Sequence, residues 1–564
     1  MTASLYRRVF TFLRSCCALF TIPTALLTLI FSVHVDYAEA VFEFSYSEGI
    51  FVLAAMSIIF ALAGSSSLAR LTQRIGYRRT RTILFVYVLL ISVLWVFIAD
   101  VQPDWDSFSL VDAALHFKDQ TSCVWWQSGG YIERYPFQLF LIVILYGCHL
   151  LSGSGIIIFF EMLNCLAAAI TVIVSMRIIE LMTNSEEIRS LGILICALFL
   201  PLMLYCTFVY GNTICLPFCL GAMALQIAGF KTHRLWKHLM AIPLTILGIL
   251  IKSSMLLVLV AMAVVWVVHA LRTRKARFAA ITIASVMLYE AANLGFLALM
   301  QPFVITDLSR ALPNSTWIVM GLHANENDKN TYMAGMNNNY VWAILDDEYE
   351  PDAYSEMNAG YLSNRLRVYV EDPLYAGRFL LKKYVYEWCE PTFGSIGASN
   401  WTRGLTDNVM ADRALTPLAH SVYYGKLHTV IVFVCDVIQS TIMVGAALYV
   451  VACRKHLHIE TMAPLLYAAG GALFYVFWEA KSQYILPLYL VLIPYTAIGI
   501  TITTRRLFEH RENNRSDVPA APGNIQPNGS EPANLPRDVE EKTPLQTMFP
   551  PTSPHHRSRG GQGA

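Results

Sequence analysis

The chain has 564 residues, of which 55% are hydrophobic and only 14% charged, with a formal net charge of +1. Its mean hydropathy of +0.48 lies outside the soluble range, and a single aqueous core of this length would exceed the size at which cores stop growing. The near-neutral charge, with no basic patch interleaved with aromatics, argues against nucleic acid as a partner. The composition is that of a polytopic membrane protein, and the plasma membrane is its expected location.

About twenty apolar residues cross a bilayer as a helix, and short loops rich in Lys and Arg stay cytoplasmic. The first run, 15–34, follows Arg7, Arg8 and Arg14 and lacks a small-residue cleavage site, so it reads as a retained helix. Further spans are expected at 50–69, 83–99, 156–180, 190–209, 213–230, 238–251, 255–271, 279–300, 427–452, 461–478 and 484–503. Basic connectors mark the cytoplasmic side: 70–81, 231–237, 272–277, Arg454 with Lys455, and Arg505 with Arg506. About twelve crossings with both termini cytoplasmic satisfy all of them. The sequence thus predicts an all-α polytopic membrane protein with two extracytoplasmic regions. One apolar run, 137–151, is left over; it is short, ends at Ser152-Gly153-Ser154-Gly155, and reads as a dipping or surface-lying helix, with a further span as the alternative.

This gives an order of segments: 1–82 (two helices and a basic loop), a transmembrane core over 83–300, an outer domain at 301–426, closing helices at 427–503, and a tail at 504–564. The outer domain holds two amphipathic segments, at 361–369 and 374–386. The tail is rich in Pro, Asn, Gly and Ser and poor in aromatics, so it is expected to be disordered. Most of the 12 Cys lie in apolar runs without zinc-site spacing, and no metal ligand is assigned. Only Cys123 and Cys389 fall in the outer regions, where either a disulfide or two free thiols would fit.

The first outer loop, within 100–155, carries Asp100, Asp104, Asp106, Asp112, Asp119 and Glu133 beside Trp105, Trp125, Trp126, Tyr131 and Tyr135. Loops of this kind on a rigid scaffold are where function concentrates. Ionisable residues inside apolar runs point the same way: Glu161, Lys252, Glu290 and Asp436, joined by Glu479 and Lys481 at a span end. All but Glu290 fall towards the outer side. Each alone reads equally well as a snorkelling or paired side chain; together they imply a polar chamber opening outward.

Several motifs resemble those of the GT-C superfamily of membrane glycosyltransferases, which includes protein O-mannosyltransferases and aminoarabinose transferases. Pro103-Asp104-Trp105-Asp106 and Tyr135-Pro136-Phe137-Gln138 look like the family's first outer loop; Tyr210-Gly211-Asn212 looks like its second outer turn, with Asn in place of Asp. Lys252 matches a lysine in a short outer hairpin, and Glu479-Ala480-Lys481-Ser482-Gln483-Tyr484 matches a late signature with Gln in place of Arg. The resemblance spans 83–503. It implies an enzyme that transfers a sugar from a polyprenyl-phosphate donor to an extracytoplasmic glycan, glycolipid or protein acceptor. Asp106 would then be the base, with Asp104 as its understudy; the bland reading of Asp104 is a solvated loop acid or a helix N-cap for a segment starting near Ser107. Lys252, Glu479, Lys481, Tyr484, Tyr135, Gln138, Tyr210 and Asn212 would bind substrate. No cofactor is assigned; Asp104 and Asp106 have the D-x-D spacing of a divalent-metal pair, which leaves a divalent metal open. A polysaccharide polymerase or ligase is the rival enzyme, and a transporter or lipid flippase the rival from another class.

Overall fold

The computed structural model describes residues 2–36, 41–46, 49–99, 101–323, 335, 350–397, 416–453 and 457–516. Asp100, Arg454, Lys455, much of the outer region between 324 and 415, and the tail from 517 onward lie outside the described residues.

The fold is almost wholly helical. Among the described residues, seven helices are long and apolar enough to cross a membrane, or up to ten if each of three bent pairs forms one span. Leu235–Ile251 and Ala463–Phe477 are apolar but only 17 and 15 residues long, short of the about twenty that cross without help. Twelve is therefore not reached on length alone. Residues 136–182 form one apolar run of 47 residues, broken only by a 3-10 turn at Gly153–Gly155. At 1.5 Å per residue it is roughly 70 Å long, more than twice the hydrocarbon thickness, so the whole of it cannot serve as one span.

One departure from an all-helical chain is a hairpin of Phe31–Asp36 against Val41–Tyr46, antiparallel, with Phe31 opposite Tyr46. The apolar run expected to continue to residue 34 leaves its helix at Ile30, where alternation in Phe31-Ser32-Val33-His34-Val35-Asp36 takes over from helical periodicity. Val33 N–H donates to the Cys389 carbonyl at 2.8 Å, tying the hairpin to the outer region.

The helices carry the chain between two ends with different chemistry. At one end the basic connectors meet acids: Arg81 and Arg177 flank Glu180 at 2.9 and 2.7 Å, Arg505 reaches Glu187 at 2.8 Å, and Arg272 reaches Glu460 at 2.6 Å. Lys231 donates to the Leu181 carbonyl and Arg506 to that of Ala452. Helices starting there deliver the candidate residues to the far end. Tyr77–Ala99 leads to Asp104 and Asp106, Leu235–Ile251 to Lys252, and Ala463–Phe477 to Glu479 and Lys481. Close crossings hold the bundle. A Cβ on Gly499 would lie 2.1 Å from the Gly445 carbonyl oxygen, so the Lys426–Ala452 and Ile493–Ser516 helices meet backbone to backbone, a contact only small residues permit.

At the far end, 301–323 straps onto the first outer loop. Gln120 bonds both Phe303 O and Ile305 N, Thr306 donates to Trp126 O, and Arg310 pairs with Glu133 at 3.3 Å. Two helices of the outer region, Pro351–Glu371 and Pro373–Trp388, cover the two amphipathic segments; Asp372 caps the second by accepting from Tyr375 N. That helix descends into the bundle, and Trp388 is fully buried against Tyr384 and Phe20. Cys123 and Cys389 are both free thiols in separate apolar clusters, so of the two alternatives the pair of thiols holds.

Candidate active site

Asp104 and Asp106 open the Trp105–Leu115 helix. Asp104 takes extended backbone and accepts from Trp105 N–H at 2.7 Å, which makes it the helix N-cap; its other oxygen is buried without a hydrogen-bond partner. Between them, Trp105 sits at φ +45°, a left-handed conformation that costs a bulky L-residue on the order of 1 kcal/mol. Strain of this kind persists where surrounding structure over-determines it, and it gathers at functional sites. It aims Asp106 into solvent-accessible space that protein nevertheless surrounds, with Lys481, Glu479 and Lys252 all close enough to act on its carboxyl. Burial raises the Asp106 pKa above the ordinary carboxylate value, and the two lysines only partly offset this.

Lys252 ends the Leu235–Ile251 helix in extended backbone. Its ammonium stands 4.1 Å from the Tyr210 ring centre and 5.6 Å from that of Tyr484, a cation between two aromatic faces. Burial pulls its pKa down to about 8, against the pull of Cys215 and Asp106. The approach of Tyr210 to this turn needs a glycine next to it: a Cβ on Gly211 would lie 2.5 Å from the Ile251 carbonyl oxygen. Asn212 follows, 7% exposed, with neither amide atom hydrogen-bonded.

The third side is the segment after Phe477. Glu479 is 4% exposed; it accepts from Tyr484 OH at 3.1 Å and lies 3.4 Å from Lys481 Nζ. Burial works against the charge on Lys481, but Glu479 and Asp106 outweigh it and hold its pKa above the ordinary value. Tyr484 stacks on Tyr475 at 5.6 Å. Gln138 donates to Tyr210 OH, and the Tyr210 hydroxyl also meets that of Tyr131.

Asp106, Lys252, Glu479, Lys481, Tyr484, Tyr210 and Gln138 thus come together from five stretches of the chain. Tyr135 stands on an adjoining aromatic wall with Tyr131, Phe137 and Trp317, which stacks on Trp478 at 5.8 Å and 6°. Glu161 and Asp436 are buried but are not among the groups acting on Asp106, Lys252 or Lys481, and Glu290 is exposed on Ala276–Met300. The D-x-D pair is a poor metal site: Asp104 uses one oxygen as a cap, and among the described residues neither aspartate joins two further ligands.

Sequence reasoning missed three participants. Trp317 gave no signal because its partner, Trp478, is remote in the chain. Tyr131 is one of several aromatics in the first outer loop, and nothing in its spacing sets it apart. Lys383, 1% exposed on Pro373–Trp388, donates to three carbonyls, Gly321 O at 2.8 Å, Val476 O at 2.9 Å and Trp478 O at 2.6 Å. It fastens the end of the Ala463–Phe477 helix just before Glu479, and the spacing of an amphipathic helix does not announce that role.

No protein-family model matches the chain, and no curated protein does either. Among solved structures it is similar to the archaeal oligosaccharyltransferase AglB of Archaeoglobus fulgidus, in a complex with an inhibitory peptide and a dolichol-phosphate. The identity is 12% and the TM-score 0.39, over 79% of this chain and 53% of that one. The match therefore spans about half of AglB.

Proposed function

We propose that this chain is a membrane glycosyltransferase of the GT-C kind, moving a sugar from a polyprenyl-phosphate donor to an extracytoplasmic hydroxyl. The observation that carries this reading is the meeting of Asp106 with Lys252 and the Glu479–Lys481 pair at the end of the bundle opposite the basic connectors. A lipid-borne donor needs a site at the rim of a helical bundle, and the basic connectors at the other end support an outward-facing rim.

In the proposed step the acceptor oxygen attacks the anomeric carbon, and the bond from that carbon to the donor phosphate breaks. Asp106 takes the acceptor's proton; a carboxylate whose pKa is raised towards the working pH is a better base. The phosphate leaves with its electron pair and gains negative charge, which Lys252 and Lys481 stabilise. Glu479 orients Lys481 and Tyr484, and the wall of Tyr135, Trp317 and Trp478 offers flat faces for a sugar ring. Asn212, buried with both amide atoms unsatisfied, is a donor and acceptor reserved for substrate.

The test is transfer from a radiolabelled lipid-linked sugar pool in membranes, comparing the native protein with Asp106→Asn at equal protein level. Loss of transfer supports the reading; equal transfer removes Asp106 as the base. Absence of transfer in both, with the donor present, overturns the donor assignment.

A further inference from the structure

The Trp105–Leu115 helix carries a second constellation near its C-terminal end. Asp112 lies six residues beyond Asp106, so roughly 9 Å further along the axis and about 240° around it, on a different face from the candidate base. His116, one turn further on, brings Nδ1 to 3.2 Å from Asp112 Oδ1. Cys123 returns from the following turn and sets Sγ 3.5 Å from Asp112 Oδ2. The carboxylate O, the imidazole N and the thiol S all lie within 4.8 Å of one another.

We propose that Asp112, His116 and Cys123 form a site for one divalent transition ion of borderline softness, zinc foremost. Three features support it. Zinc bonds of about 2.0–2.3 Å in tetrahedral geometry place neighbouring ligand atoms roughly 3.3–3.7 Å apart. His116 Nδ1 lies 3.2 Å from Asp112 Oδ1 and Cys123 Sγ 3.5 Å from Oδ2, so a carboxylate that binds through both oxygens, or rotates slightly to offer one, meets both partners near that spacing. A mixed O, N, S set suits zinc better than calcium or magnesium, which take oxygen ligands. The ligands also have outer partners of the kind metal sites use: Trp125 Nε1–H donates to Asp112 Oδ2 at 2.9 Å, and the backbone N–H groups of Trp125 and Trp126 face the Cys123 sulfur. His116 Nδ1 also lies 2.9 Å from the Asp112 carbonyl, so the ring turns modestly to release that contact when it ligates. On binding, the thiol loses its proton to solvent as the metal–sulfur bond forms.

Cys123 is 2% exposed, whereas His116 and Asp112 remain partly open, so a fourth position is left for water or an acceptor group. The ion would pin the 120–126 turns to the helix that presents Asp106. The site stands apart from the transfer chemistry, and its test reads metal rather than sugar.

The full-length protein, purified in detergent and stripped with a chelator, is titrated with Co2+ and then Zn2+. The expected result is one Co2+ per chain with a sulfur-to-cobalt charge-transfer band that Zn2+ abolishes. Cys123→Ser loses the band, and Trp125→Phe, which keeps all three ligands, weakens affinity about 10–100-fold. Should Cys123→Ser fail to fold, alkylation of the native protein decides. Zn2+ is then expected to slow modification of Cys123, located by peptide mapping, at least tenfold. No band, or Cys123 alkylated at the same rate with and without Zn2+, overturns the site.

Discussion

The ammonium of Lys252 lies 4.1 Å from the centre of the Tyr210 ring, which joins the break after Leu235–Ile251 to the turn that opens at Gly211. Burial pulls the Lys252 pKa down and pushes that of Tyr210 up; Glu479, near both, adds only a smaller upward pull. On the proposed function, a cation between aromatic faces with only modest help from carboxylates is the group that meets the donor phosphate.

The first prediction follows from the Lys252 pKa of about 8. Below that pH the cation is present, and it is lost as pH rises through 8; Asp106, with its raised pKa, must lose its proton before it can act as base. Transfer should therefore be bell-shaped in pH with an alkaline limb near 8. Lys252→Arg, whose charge persists, should shift that limb upward, and Lys252→Met should lower transfer below about pH 8 and converge with the native protein above it. The stability effect has the opposite sign. The folded value lies below the ordinary 10.5, so the unfolded chain binds more protons in this window and stability rises with pH between about 8 and 10.5. Lys252→Met should accordingly leave the melting temperature at pH 7 unchanged or higher. A pH series of transfer rates with melts at two pH values checks both halves.

Gly211 is the second test. Its absent Cβ makes room for the Ile251 carbonyl oxygen, 2.5 Å from where the methyl of alanine would sit. Backbone cannot swing aside as a flexible side chain can, so Gly211→Ala should cost about 1–3 kcal/mol and push Tyr210 away from Lys252. Loss of transfer together with a lowered melting temperature is expected; an unchanged melt would refute the close approach.

The extent of the sequence's information follows from the same residues. Apolar runs and basic connectors were legible because each depends on a local property, chain hydropathy or charge. Asp106, Lys252, Glu479 and Lys481 stood out because a charge at the edge of an apolar run has few cheap explanations. Trp317 and Lys383 were hidden because their roles exist only once remote segments meet: Trp317 with Trp478, Lys383 with the carbonyls of 321, 476 and 478. The hairpin was masked by apolar residues that continue the preceding run. Asp112 and His116 did carry a signal, an i, i+4 pair on one helical face, but their third partner, Cys123, is fixed by the turns that follow rather than by spacing.

Trp105 gives the third prediction. Its φ of +45° stores on the order of 1 kcal/mol that glycine would not. Trp105→Gly should relieve that strain yet free Asp106 to sample other directions, so transfer should fall while the melting temperature changes by no more than a few degrees. A parallel loss of both would mean the exposed indole itself holds the loop.

Lys383 decides whether the segment bearing Glu479 and Lys481 is positioned from outside. Its three carbonyl partners are the ends of Ser315–Leu322 and Ala463–Phe477 and the residue just before Glu479. Lys383→Met keeps much of the volume and removes all three hydrogen bonds, leaving buried acceptors unsatisfied at about 1–3 kcal/mol each. Stability should fall, but the diagnostic readout is kinetic. A positioning role predicts that kcat drops with little change in donor KM, because Lys481 is misplaced as the phosphate gains charge rather than when the donor binds. Lys382→Met, which alters the exposed neighbour on the same helix, should leave both unchanged. If Lys383→Met lowered only the amount of folded protein, with kcat per folded molecule intact, Lys383 would be a fastener of the fold alone.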